Sequence, residues 1–128
     1  MKNYIAFIIT HGDLAFHLNE VSQKLIPSEI PLYCFSNSKD SIENIIDLVL
    51  KVIENDKPEK VIVFVDLLGG SCWHAAMSVK KQNSNVAILT GINIPALVSF
   101  MVNYSKLEWP ELLDKITQDA QKAIKLLK

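Results

Sequence analysis

Residues 60–74 read KVIVFVDLLGGSCWH. Val61 to Val65 form an apolar run with no polar break, the pattern of a strand covered on both faces and therefore of a parallel sheet. The run ends on a carboxylate, Asp66, then passes through Gly69, Gly70 and Ser71 before a helix resumes over Trp73 to Lys81. A strand that stops at a charged residue and re-enters a helix through paired glycines delivers polar groups to its carboxyl end. The chain opens in the same manner: YIAFIIT, residues 4–10, runs directly into His11 and Gly12. Two strands thus present His11 and Asp66 at their ends.

Outward from these two runs, strands and helices alternate. Leu14, Leu18, Val21 and Leu25 recur at helical spacing until Pro27. Leu32 to Phe35 make a short second strand that ends in SNSKD, where Ser38 or Asp40 can cap the next helix. The buried stripe of that helix is Ile42, Ile45, Ile46, Val49 and Ile53, and Lys57 and Pro58 turn the chain into the strand at 61–65. Val86 to Leu89 give a fourth strand. GINIP then leads into a helix with Asn93 as its cap and Pro95 in its first turn, where no intrahelical N–H is needed. Pro110 begins a last helix, read as one element over 110–128, with the stripe Leu113, Ile116, Ala120, Ile124 and Leu127. This alternation predicts an α/β fold: a doubly wound, mostly parallel sheet of order 2-1-3-4 with helices on both faces. No repeat, low-complexity tract or linker interrupts it, so residues 1–128 are expected to form a single domain.

Composition narrows the function classes. At 49% hydrophobic and 21% charged the chain can build a sizeable core and lacks the bias of disorder. Formal net charge is −1 and the lysines form no block, which argues against nucleic acid or an anionic membrane surface as a partner. The apolar opening is cut off by His11, Gly12 and Asp13 before a signal-peptide core is complete, and no stretch is long enough to span a bilayer. Cys34 and Cys72 are widely separated and lack CxxC spacing, as expected of reduced thiols in the cytoplasm.

In a 2-1-3-4 sheet the order reverses between the first and third strands, and ligands bind in the crevice at their carboxyl ends. His11 and Asp66 face each other there, with Asn37 and Gly91 to Asn93 on the same edge. A carboxylate that accepts one ring N–H of a neutral imidazole fixes its tautomer and leaves the other nitrogen nucleophilic. Gly69 and Gly70 allow close backbone approach, and the N–H groups of Gly70, Ser71 and the following helix turn form an anion-binding end to which the Ser71 hydroxyl adds a donor. A histidine nucleophile, an orienting carboxylate and an anion cradle describe phosphoryl acceptance and release, for which these residues require no metal or cofactor.

THG after the first strand, DLLGGS after the third and GINIP after the fourth, in this order over essentially the whole chain, resemble the EIIA component of the mannose-family sugar phosphotransferase system (PTS). The resemblance implies that His11 takes a phosphoryl group from the phosphohistidine of HPr and passes it to an EIIB histidine, with Asp66 beside His11 and Ser71 on the phosphate. It further implies a cytoplasmic homodimer in which an edge strand can be exchanged. Contact with the membrane would be indirect, through the EIIC/EIID components that select the sugar. The chain departs from the family at two places: Cys72 stands where proline is common after GGS, and His74 where a small polar residue is usual.

Other readings of the same residues are a phosphotransferase subunit feeding a dihydroxyacetone kinase, a non-catalytic anion-binding regulatory domain, and a zinc hydrolase. The DxxGGS loop argues against the first, and the intact His11 against the second. The Cys72-x-His74 pair does not match a recurrent zinc-ligand spacing, so no metal is expected. His17 reads as a surface or boundary residue of its helix.

Overall fold

A computed structural model of the chain describes residues 2–128. Its elements in chain order are β1 (Tyr4–Thr10), α1 (Leu14–Leu25), β2 (Leu32–Ser36), α2 (Ile42–Asp56), β3 (Lys60–Val65), α3 (Ser71–Gln82), β4 (Val86–Leu89), α4 (Ile94–Asn103) and α5 (Trp109–Lys122). The sheet is parallel throughout and ordered β2-β1-β3-β4, the order that the strand and helix alternation predicts. β1 and β3 occupy its centre and are buried on both faces.

Strand alternation divides the core into two layers. Ala6 and Ile8 of β1 and Ile62 and Phe64 of β3 face α1, α4 and α5, where Phe100, Leu112 and Ile116 cover them. Ile5, Phe7 and Ile9, with Val61, Val63 and Val65, face α2 and α3 and pack on Ile45, Val49, Ala75 and Val79. Each fully buried Val, Leu, Ile or Phe among them stabilises the fold by about 1.5–3 kcal/mol relative to exposure, so the two strands cannot slide without emptying both layers. The register pairs Ile9 with Val65 and Thr10 with Ser36. His11, Asp66 and Asn37 therefore leave the sheet at nearly the same level.

Four local expectations change. In α1 the residues turned fully inward are Ala15 and Ser22, while Leu14, Val21 and Leu25 are 43%, 43% and 56% exposed. The helix lies close against the sheet, where small side chains fit, and of the sequence stripe only Leu18 packs on the core. The cap of α2 is Ser41, whose hydroxyl oxygen accepts the Asn44 N–H at 3.1 Å, and not Ser38 or Asp40. Helix α3 begins at Ser71, two residues before Trp73, which makes Gly70 its cap position. Finally, α5 stops at Lys122. The Ala120 carbonyl, which would accept the Ile124 N–H in a continuing helix, takes the Asn93 side-chain N–H at 3.0 Å instead. Ile124 and Leu127 are left exposed beyond the helix. Among the described residues no helix is long and apolar enough to cross a membrane.

Candidate functional site

The site grows from the end of β1. Thr10 is buried, and its hydroxyl oxygen accepts the Ala15 N–H at 2.7 Å. That bond fixes the start of α1, because Asp13 at the cap position makes no side-chain bond to it. His11 lies between these two fixed points. Its backbone N–H donates to Asp66 Oδ2 at 2.9 Å, and its ring Nδ1 lies 2.9 Å from the same oxygen. Nδ1 must carry the proton to donate there, so in the neutral ring the free lone pair is on Nε2. Among the described residues Nε2 has no hydrogen-bond partner.

Asp66 is itself held. Its Oδ1 accepts the Leu67 N–H at 3.0 Å, and its side chain is 13% exposed against 41% for His11. Burial alone would raise the carboxyl pKa. The backbone and side-chain bonds from His11 and the charge of that ring outweigh it and hold the group below the ordinary carboxylate range. Asp66 is consequently ionised wherever the imidazole needs an acceptor.

Gly70 brings the third piece into contact. A Cβ there would lie 3.3 Å from His11 Cε1, so any larger residue would press on the ring by a few tenths of an ångström. Gly69 precedes it with φ +83°, a left-handed turn that other residues resist. No side chain caps α3, and the N–H groups of its first turn, beginning at Ser71, have no intrahelical partner. These donors and the positive end of the helix dipole lie beside His11.

Of the five residues that the sequence singles out, the structure sets Asp66 and Gly70 against His11, and Gly69 and Ser71 flank Gly70 in the chain. It adds a sixth. Asn37, after β2, accepts the Gly12 N–H on Oδ1 at 3.3 Å and donates from Nδ2 to Ser71 Oγ at 3.4 Å, which ties three strand ends together. Its position on the same edge was the available signal. Cys72 is buried with Sγ 3.9 Å from His11 Nδ1. Burial and then the Asp66 charge push its thiol pKa up, against a smaller opposing effect of the Ser71 bond. His74 is exposed, edge-on to Trp73, and His17 is exposed on α1, so neither joins the cluster.

Residues 6–117 match the family model described as the PTS system fructose IIA component, EIIA-man. The chain belongs to this family. It is a mannose-family EIIA component of the sugar phosphotransferase system, whose EIIA proteins are in general phosphotransferases. No curated protein matches the sequence. Among solved structures, the PTS IIA protein associated with the fucose utilization operon from Streptococcus pneumoniae superposes with TM-score 0.81 at 25% identity, over 98% of this chain and 93% of that one. The EIIA component from Streptococcus agalactiae gives TM-score 0.85 at 15% identity, over 95% of each chain. The mannose/sorbose-specific IIA subunit from Enterococcus faecalis gives 0.82 at 18% identity, over 100% and 96%. The last two are likenesses of fold. In this EIIA chain the two departures from the expected motif differ in position: Cys72 touches the His11 ring, whereas His74 points away from it.

Proposed function

We propose that this EIIA chain is a single-domain cytoplasmic phosphocarrier in which His11 accepts a phosphoryl group from phospho-HPr and passes it to an EIIB histidine for sugar uptake. The observation that carries this reading is the bond from His11 Nδ1 to Asp66, which leaves Nε2 as the free, half-exposed nucleophile. The Nε2 lone pair attacks phosphorus, and the bond from phosphorus to the nitrogen of the HPr histidine breaks with its electrons returning to that nitrogen. Asp66 then stabilises the positive imidazolium, while Gly69, Gly70, Ser71 and the α3 N–H groups bind the phosphoryl oxygens. Attack by the EIIB histidine reverses these steps. Leu67 and Leu68, 58% and 74% exposed beside the site, supply an apolar rim for protein partners.

The test is incubation with phosphoenolpyruvate, the first enzyme of the system and HPr. One acid-labile phosphoryl group per chain is expected, followed by its discharge to EIIB, and none on His11→Ala. Normal uptake by His11→Ala would refute the assignment and turn attention to His17 or His74. No uptake by the wild-type chain would favour a non-catalytic anion-binding domain.

The working unit is proposed to be a homodimer. Among the described residues no strand pairs with the outer edge of β4, and a groove of about 330 Å³ runs between β4 and α5, lined by Ile62, Ala87, Leu89, Leu113 and Ile116. Open strand edges and apolar grooves are stabilised by pairing with another chain, and a second copy is the partner that the family resemblance implies. Light scattering at micromolar concentration should return twice the 14.4 kDa chain mass. A monomer mass would remove both the dimer and the strand exchange.

A further inference from the structure

The sequence pair Cys72-x-His74 does not form a cluster, but the fold assembles a different set. His11 Nδ1, Asp66 Oδ2 and Cys72 Sγ lie within 4.8 Å of one another, with Nδ1 2.9 Å from Oδ2 and 3.9 Å from Sγ. Tetrahedral zinc with one nitrogen, one oxygen and one sulfur ligand separates nitrogen from oxygen by about 3.3 Å and nitrogen from sulfur by about 3.6 Å. These two spacings come within about half an ångström of those values, while Oδ2 and Sγ, within 4.8 Å of each other, must close toward about 3.5 Å on a metal. The Leu67 N–H on Asp66 Oδ1 fixes the carboxylate from behind, the kind of outer contact that orients a metal ligand. Cys72 is fully buried and the Asp66 side chain 13% exposed, so the His11 ring, 41% exposed, is the side of the cluster nearest solvent.

The geometry points to a regulatory binding site for a borderline-soft divalent cation of the Zn²⁺ class, formed by His11, Asp66 and Cys72. On binding, the Cys72 thiol releases its proton to solvent and coordinates as thiolate. The imidazole stays neutral, but Nδ1 now gives its lone pair to the metal, so the ring proton resides on Nε2. The nitrogen that would attack phosphorus is then an N–H with no free lone pair. The cation therefore holds the phosphocarrier in an unreactive tautomer, a consequence that rests on the proposed function, whereas the metal site itself does not.

Co²⁺ serves as the spectroscopic probe on the full chain. One Co²⁺ per chain is expected to give thiolate-to-cobalt charge-transfer absorption in the near ultraviolet, removed by one equivalent of Zn²⁺. The chain has only Cys34 and Cys72, so a band that survives in Cys34→Ser belongs to Cys72 without need of a variant in the packed position. Cys72→Ser, checked for folding by circular dichroism, should lose the band and bind Zn²⁺ at least about 100-fold more weakly. His74→Ala should bind as wild type. Saturating Zn²⁺ should slow wild-type phosphoryl uptake by at least about tenfold, judged against the same chain without metal. Absence of the band in the folded wild-type chain, its loss in Cys34→Ser, or a dependence on His74 would overturn the site. A chain that binds Co²⁺ as described yet takes up no phosphoryl group would keep the site and refute the phosphocarrier reading.

Discussion

Two polar clusters sit on the same edge of the sheet and differ in how much hydrogen-bonding capacity they leave unused. At the end of β4, Asn93 spends both ends of its amide on the protein: Oδ1 accepts the Ala96 N–H at 2.9 Å and caps α4, and Nδ2 donates to the Ala120 carbonyl at 3.0 Å and closes α5. At the ends of β1 and β3, Asp66 spends itself on His11 and Leu67, but the partner it orients keeps Nε2 free, and the adjacent helix start has no side-chain cap. Polar residues at strand ends are thus structural when their donors and acceptors are consumed within the fold. They become candidates for chemistry when a fixed group points unused capacity outward.

Four substitutions break this contrast, in decreasing order of effect. His11→Ala removes the nucleophile and should abolish phosphoryl uptake in the assay with HPr. Asp66→Asn preserves size but can offer an amide N–H to Nδ1, favouring the wrong tautomer and removing the charge opposite the imidazolium. Uptake followed by rapid quench should slow by about 10², less than the ~10⁴ seen when a serine protease loses its orienting carboxylate. Its thermal midpoint should stay within about 3 °C, since Val61 to Val65 keep their packing. Gly70→Ala places a methyl group about 3.3 Å from His11 Cε1 and shifts the ring by tenths of an ångström. Uptake should fall by about tenfold with the fold intact. Asn93→Ala deletes a helix cap and the Ala120 bond, so stability measured by urea unfolding should fall by about 1–2 kcal/mol. Its uptake rate per folded chain should match wild type, and a loss there would erase the distinction between the two clusters.

A pH series sharpens the same comparison. The Asp66 carboxyl is depressed in the folded chain, so its stabilising contribution is complete above the unfolded carboxylate value of about 3.9. It is lost as pH falls through the lower folded value. The stability difference between wild type and Asp66→Asn should therefore shrink on acidification below about pH 4, and a difference that grows there would contradict the His11–Asp66 bond.

The central strands were legible in the sequence because burial on both faces leaves an uninterrupted apolar run, as in YIAFIIT and VIVFV. The order 2-1-3-4 is the simplest for a doubly wound sheet, and the His11 and Asp66 pairing followed from that order. What escaped depends on distances between elements. The inward face of α1 is set by how closely the helix lies on the sheet, so Ala15 and Ser22 face in where a hydrophobicity pattern selects Leu14 and Val21. The end of α5 is met by a bond from Asn93, a residue 27 positions away from the carbonyl it takes. Asn37 likewise gained its role from contacts with Gly12 and Ser71 that no local pattern encodes. The Cys72-x-His74 spacing matched no recurrent ligand pair, and the structure sends only the thiol toward His11, 3.9 Å from Nδ1, with His74 exposed.

The most direct test is nitrogen-15 and phosphorus-31 NMR of the chain after phosphorylation by HPr, with the histidine ring nitrogens labelled. The spectra should show a single phosphohistidine, on Nε2 of His11, with Nδ1 still protonated and bonded to Asp66. A phosphoryl group on Nδ1 of His11, or on His17 or His74, would contradict it.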